Sequence, residues 1–124
     1  MRKSQAIHSF MSSFGLPAFD EYTVPTGDDA PAFPYLTYSV SESAIDEPVS
    51  MSLSLWYRSN SWSDIEVKTN EIAERVKTMN PIRIDDGCII IAGSMPFAQR
   101  MDDPSDDLVR RMIINLDVEY VTNY

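Results

Sequence analysis

The chain is poor in the residue types that build catalytic and metal centres, with one cysteine, Cys88, and one histidine, His8. A single cysteine excludes an intrachain disulfide, and one residue of each type cannot supply the nitrogen and sulfur ligands of a zinc site. A nucleophile pair of Cys88 and His8 is disfavoured because Cys88 begins an apolar run, CIIIA. The common phosphate-binding, zinc-protease and serine-hydrolase motifs are also missing. We therefore expect no catalytic residue, no metal site and no cofactor.

Long apolar runs and clustered basic residues are missing too. No stretch approaches the roughly 20 apolar residues that span a bilayer, and the N-terminal segment lacks the apolar centre of a signal peptide. Ten basic residues stand against 19 acidic ones, which gives a net charge of −9. That balance argues against a surface that grips nucleic-acid phosphates. These features predict a soluble protein made in the cytoplasm, with no membrane contact.

The strongest positive signal is periodicity in a chain of 124 residues, a length that suits one domain over residues 1–124. Apolar residues at helical spacing predict a first helix over residues 3–14, ended by a Gly-Leu-Pro sequence. A second helix is predicted from Ser61 or Ser63 to Met79. Both serines suit an N-cap, and Ser63 has a glutamate three residues later, as in a capping box.

Alternation of apolar and other residues predicts the strands. Residues 35–41 and 49–57 follow period two. Residues 82–84 and 88–92 flank an Asp-Asp-Gly turn that is typical of a hairpin. Residues 108–121 form a long final strand. The second of these strands has one polar, nearly uncharged face, which we expect to meet another layer or subunit, made of Ser50, Ser52, Ser54 and Trp56.

Together these elements predict an α+β fold in the order α-β-β-α-β-β, a mostly antiparallel β-sheet with the two α-helices packed on one face. Residues 22–24 are a candidate for a further short edge strand. The residues expected to clamp the helices to the sheet are Trp62, Leu55, Ile65, Ile72, Val76, Ile114, Leu116 and Val118.

Residues 94–107 are predicted to form a polar loop. Four aspartates fall within residues 102–107 and suggest a cation site. Their spacing differs from that of an EF-hand, and the central glycine is missing. A solvated turn or an acidic interaction surface is therefore favoured over cation binding or carboxylate catalysis.

Four segments together resemble the tail-terminator proteins of long-tailed phages, also described as tail-completion or head–tail joining proteins. They are FPYLTYSV at 33–40, LWYRSNSW at 55–62, KTNEIAERV at 68–76 and PFAQRMDDPSDDLVRRMIINLDVEY at 96–120. The resemblance covers nearly the whole chain and includes no catalytic motif.

The resemblance implies a structural virion protein, not an enzyme, at the tail–neck junction of a phage assembled in the bacterial cytoplasm. Copies of the chain would form a ring, expected to be a hexamer, that caps the tail tube and stops its polymerisation. The partners would be the tail tube protein and the head-completion or connector proteins. DNA would pass through the lumen without specific binding.

The residues expected to contact a neighbouring subunit or partner are Trp56, Arg58, Phe97, Gln99, Arg100, Met101, Asp102 and Asp103. Arg58 or Arg100 is expected to pair with a carboxylate across an interface. Two alternatives remain open at this stage. One is a head-completion or neck subunit under the portal. The other is a cation-binding or small hydrolytic protein that uses the aspartates of residues 102–107.

Overall fold

The computed structural model describes residues 2–39 and 49–122. In chain order the elements are α1 (Lys3–Ser12), β1 (Ala18–Asp20), β2 (Tyr35–Tyr38), β3 (Val49–Arg58), α2 (Ser63–Thr78), β4 (Ile82–Ile84), β5 (Gly87–Asp102) and β6 (Val109–Thr122). A single 3-10 turn at Gly27–Asp29 interrupts the connector between β1 and β2. The last two residues of the strand predicted at 35–41 lie outside the described residues.

All the strands form one sheet in the order β1-β2-β3-β6-β5-β4. Among residues 2–39 and 49–122, only the short β1–β2 pair is parallel, and the other four pairs are antiparallel. The long strand β6 lies at the centre, with β3 on one side and β5 on the other. The predicted α+β class with a mostly antiparallel sheet is therefore confirmed.

Both helices pack on one face of the sheet and share one hydrophobic core. The period-two pattern of β6 places its even-numbered residues from Met112 to Tyr120 inward, where all are buried. From α2, Ile65, Ile72 and Val76 reach the same core, as do Ile7 and Met11 from α1. Burying a side chain such as Ile or Leu contributes about 1.5–3 kcal/mol. Of the expected clamp residues, all but Trp62 are buried, and Trp62 is half-buried against the core.

The predicted polar loop at residues 94–107 is wrong. Strand β5 continues to Asp102, and only the following residues form the turn to β6. Between Gly93 and Ala98 the chain bulges, so that residues 94–97 stand opposite the single residue Asn115. The bulge contains a cis peptide bond between Met95 and Pro96. The backbone carbonyl of Pro96 accepts a hydrogen bond from Asn115 Nδ2 at 2.9 Å. The bulge breaks the alternation that marks a strand in sequence.

Several element boundaries also differ from the predictions. The first helix ends at Ser12, and Gly15 follows with a φ of 83°, the left-handed conformation that favours glycine. The edge strand lies at Ala18–Asp20, so the prediction of a strand over residues 22–24 is wrong. Helix α2 has Trp62 at its N-cap position, without a side-chain cap. The predicted capping box at Ser63 is therefore wrong.

Neither helix within residues 2–39 and 49–122 has the length and apolarity needed to cross a membrane.

Candidate interaction surface

The sheet face opposite the helices is open among the described residues, and a row of large side chains crosses it. Strand register aligns Tyr35 with Trp56, Trp56 with Arg111, and Arg111 with Met101. Phe33 adjoins the end of the row, with its ring centroid 5.4 Å from that of Tyr35. We call these five residues the aromatic row.

Trp56 lies at the centre of the aromatic row, as its predicted outward orientation requires. Its ring stacks on Tyr35 with a centroid separation of 6.1 Å and an interplanar angle of 12°. Its Nε1–H donates to Thr37 Oγ1 at 2.9 Å. The hydroxyl of Thr37 is thereby satisfied although the residue is buried, and the indole is held in one orientation.

Arg111 covers the other side of Trp56. Its guanidinium carbon lies 4.6 Å from the ring centroid, within the range of a cation–π interaction. Nε and Nη2 of Arg111 both donate to Ser54 Oγ, at 3.2 and 3.1 Å. Ser54 is buried beneath these side chains. The predicted serine face is therefore partly covered by the protein's own arginine and tryptophan.

A second cluster of aromatic and charged groups lies on the helix side, near the β5–β6 turn. The guanidinium carbons of Arg100 and Arg110 lie 4.8 and 5.4 Å from the ring centroid of Trp62. Arg100 also forms an ion pair with Glu66 in the first turn of α2. These contacts join the start of α2 to the far end of the β5–β6 hairpin. Trp62 thus joins the start of α2 to the sheet through arginines at the rim of the core, where it is half-buried and not inside as predicted.

Two carboxylates of the β5–β6 turn, those of Asp103 and Asp106, accept hydrogen bonds from groups of the same chain. Asp103 accepts hydrogen bonds from the hydroxyl and the backbone amide of Ser105, and these two bonds lower the pKa of Asp103. Asp106 accepts from the amide of Leu108 and from Arg58 Nε at 3.2 Å, and both contacts lower its pKa. Such bonds stabilise the charged form of each carboxylate. They therefore help to hold the chain reversal.

Both arginines that were expected to reach across an interface have carboxylate partners in their own chain. Arg58 pairs with Asp106 and Arg100 pairs with Glu66. All four side chains are more than one-third exposed, so solvent screens both pairs and neither is a strong source of stability.

The other expected interface residues divide between the two faces of β5. Gln99 and Met101 stand on the open face, opposite Ile113 and Arg111 of β6. Phe97 instead lies on the helix side, where it packs partly against the core. Asp102 pairs in register with Arg110 at the end of the strand. The structure therefore does not bring the eight expected residues together into one patch.

A groove runs between α2 and the outer edge of β5. It has a volume of about 650 Å³ and is mainly apolar. We call it the edge groove, lined chiefly by Val76, Lys77, Met79, Ile91, Met95 and Phe97. Met95 is 91% exposed at the bulge. The groove exists because β4 pairs only with the first residues of β5, through Ile89, and leaves the adjacent position empty among the described residues.

Within residues 2–39 and 49–122, no group of three or more Asp, Glu, His or Cys side chains is placed to hold a metal ion. The ring nitrogens of His8 contact the hydroxyls of Tyr38, at 2.9 Å, and Ser12, at 3.3 Å. Both ring nitrogens of His8 are therefore engaged by hydroxyl groups, one of them that of the buried Tyr38, and not by Cys88.

Sequence reasoning missed three members of the open-face surface: Tyr35, Thr37 and Arg111. Each was placed on a strand, but its neighbours across the sheet depend on the register. The registers of β2 with β3 and of β3 with β6 bring these residues to Trp56. A signal was present in the sequence, since an aromatic or cationic residue occurs at an outward position of three successive strands of the sheet.

Comparison with family models, curated proteins and solved structures gave no match. The surfaces described above and the sequence resemblance are therefore the two lines of support for a function.

Proposed function

We propose that this chain is a structural subunit of a phage tail. Copies of it form a ring, expected to contain six subunits, on the end of the tail tube. The ring stops tube polymerisation and provides the surface to which head-completion or connector proteins join. Beside the sequence resemblance, the observation that supports the proposal is the aromatic row, which lies on a sheet face that neither helix of the described residues covers.

An antiparallel sheet commonly leaves one face to water, and that face is then mostly polar and charged. Here the open face instead presents half-buried or exposed Tyr35, Trp56, Arg111 and Met101. Aromatic residues, methionine and arginine are the types enriched in the centres of protein interfaces. Thr37 and Ser54 already hold Trp56 and Arg111 in place, so a partner would meet preorganised side chains at low entropic cost.

Charge on the same face fits a subunit that surrounds DNA without binding it. Asp117 and Glu119 of β6 point to the open face at the end away from Arg111. The whole chain carries a net charge of −9. An acidic surface repels phosphates and would allow DNA to pass.

Assembly and tube binding test the proposal directly. We expect size-exclusion chromatography with light scattering to give a ring-sized oligomer, alone or on addition of purified tail tubes. Negative-stain microscopy should then show rings on tube ends, and the protein should arrest tube growth. A monomer that neither assembles nor binds tubes at any concentration tested would contradict the proposal. Rings that bind the portal but not the tube would favour a neck subunit instead.

A matched pair of variants tests the role of the open face. Met101→Glu places a charge beside Arg111 in the aromatic row, where Met101 is 42% exposed. Val67→Glu makes the same kind of change on α2, where Val67 is 69% exposed on the helix side. Both variants should fold, and only Met101→Glu should lose tube capping or ring formation. Equal behaviour of the two variants would remove the open face from the proposal.

A further inference from the structure

We propose that residues 21–34 of one copy dock in the edge groove of the next copy. The inference rests on the proposed function, because it assumes that copies of the chain form the ring that these contacts would close. It adds the identity of the two surfaces that meet, which are the connector between β1 and β2 and the free edge of β5 beside α2.

The edge groove has the features of a site for an extended peptide. Beyond Ile89, the outer edge of β5 has no strand partner within the described part of the chain, so its backbone groups on that side are free to pair. Apolar side chains of Val76, Ile91 and Phe97 line the adjacent floor. Strand addition at such an edge gives affinity through main-chain hydrogen bonds and specificity through side-chain pockets. An uncovered edge of this kind is also a liability that proteins normally block.

The connector has far more length than its ends require. The parallel pairing of β1 with β2 leaves a gap of about 10 Å between the end of one and the start of the other, at roughly 3.3 Å per residue. A chain of this length can extend to about 45 Å. Every residue from 21 to 34 is exposed or half-buried, so the excess length does not cover the core. Three prolines at positions 25, 31 and 34 favour extended backbone.

The connector and the groove are complementary in polarity and in charge. Tyr22 is 86% exposed and provides an aromatic anchor for an apolar groove. Residues 21–34 contain three acidic residues, Glu21, Asp28 and Asp29, and no basic one. The groove has Lys77 in its lining, and its side chain is 72% exposed with only a long contact of 3.7 Å to Glu74.

The topology makes this contact a head-to-tail one. The connector leaves the sheet at the β1 edge, and the groove lies at the opposite edge, beside β5 and β4. A contact between two different surfaces of identical chains repeats from copy to copy and closes into a ring when the rotation allows. A second copy is therefore the occupant that both the charge and the placement of the two surfaces favour.

Disulfide trapping in the full-length chain tests the contact. Cys88→Ser removes the native thiol, and Tyr22→Cys with Met95→Cys places one thiol on each surface. Both positions are highly exposed, at 86% and 91%, so folding should be preserved. Oxidation should give a ladder of covalent oligomers on a denaturing gel, up to the ring size. Each single-cysteine variant should stay monomeric on the gel, and an equal mixture of the two should stop at dimers.

The controls separate this inference from the proposed function. A Tyr22→Cys/Val67→Cys protein, which pairs the connector with the outer surface of α2, should give no ladder. If light scattering shows rings but the Tyr22–Met95 pair gives no ladder, or the Val67 pair gives an equal one, the docking inference is overturned and the ring proposal stands. If the protein neither assembles nor caps tubes, the ring proposal itself fails.

Charge reversal gives a second, independent test. Lys77→Glu should raise the protein concentration required for ring assembly at least tenfold, and Asp28→Lys with Asp29→Lys should do the same. Combining the three substitutions in one chain should restore assembly at low salt, because the attraction between connector and groove is then re-formed with the charges exchanged. Additive loss without restoration would overturn the proposed pairing of connector and groove.

Discussion

The ring of Phe97 lies over Gly93, with its Cδ1 atom 3.0 Å from the point that a Cβ on Gly93 would occupy. The bulge at residues 94–97 turns the chain back so that Phe97 covers its own strand. An aromatic side chain over a glycine replaces the packing surface that glycine lacks. This contact forms part of the floor of the edge groove.

The contact of Phe97 with Gly93 predicts that the effect of Gly93→Ala on stability depends on the residue at position 97. Phe97→Ala should lower the free energy of unfolding by about 1–2 kcal/mol, because a half-buried aromatic ring is lost. In the native background Gly93→Ala should give no gain, since its Cβ would press on the ring. In the Phe97→Ala background it should stabilise by about 0.5–1 kcal/mol, the usual benefit of removing a strand glycine. Urea unfolding measures all four proteins, and additive effects would contradict the contact.

The hydrogen bond between Trp56 and Thr37 makes a second prediction. Trp56→Phe should cost about 1–3 kcal/mol, because it leaves the buried Thr37 hydroxyl without its donor and removes ring area. Adding Thr37→Val should recover part of this loss, since both polar partners are then gone. Thr37→Val alone should also be destabilising, because the indole N–H loses its acceptor. Urea unfolding provides the measurement, and a double variant worse than the sum of the singles would refute the pairing.

Local pattern was sufficient where the chain alternates without interruption. Strand β6 shows its period without a break from Met112 to Tyr120, and helix α2 does so along its length, and the structure buries or half-buries the residues that each period selects. Helices on one face followed from the same reasoning, because each helix has only one apolar stripe. Those features depend on near neighbours in sequence.

The prediction for the second half of β5 was wrong because the structure of this segment depends on residues distant in sequence. From Ser94 to Asp102 the polar and apolar residues do not alternate and the segment contains a proline, so local signals favour a loop. What makes it a strand is pairing with β6 after a bulge that resets the register. The aromatic row was predicted only in part, for the same reason. Trp56 was placed outward, but Arg111 reaches it only through the register of β3 with β6.

The turn aspartates predict a specific dependence of stability on pH. The folded-state pKa values of Asp103 and Asp106 lie below the usual 3.8. Their contribution is therefore fully present above the unfolded-state pKa near 3.8 and is lost as the pH falls through the lower folded values. Asp103→Asn with Asp106→Asn should lower the melting temperature at pH 6, and this difference should shrink as the pH falls below 3.8.

The control for this experiment is Asp28→Asn with Asp29→Asn, which removes the same charge from the exposed connector, with all proteins measured at a concentration where light scattering shows monomers. Its melting temperature should differ little from that of the native protein across the series. A turn variant whose deficit stays constant down to the lowest pH would show that packing, and not the charge of the two carboxylates, is responsible.

The cluster around Trp62 predicts unequal effects for the two partners of one ion pair. Glu66→Gln should cost at most about 0.5 kcal/mol, because both side chains of its pair with Arg100 are about half exposed. Arg100→Ala should cost about 1–2 kcal/mol, since it also removes a cation–π contact and the aliphatic stem that packs on Trp62. Raising the salt to about 1 M should abolish the effect of Glu66→Gln and leave most of that of Arg100→Ala.

A Trp62→Ala background completes the test. There the cost of Arg100→Ala should fall to that of the ion pair alone, because no ring remains for the guanidinium to cover. Equal costs for Glu66→Gln and Arg100→Ala, both sensitive to salt, would mean that Arg100 acts only through its charge. In that case Arg100 would be free to exchange Glu66 for a carboxylate of a neighbouring subunit, and loss of rings in a folded Arg100→Ala protein would locate it at an interface.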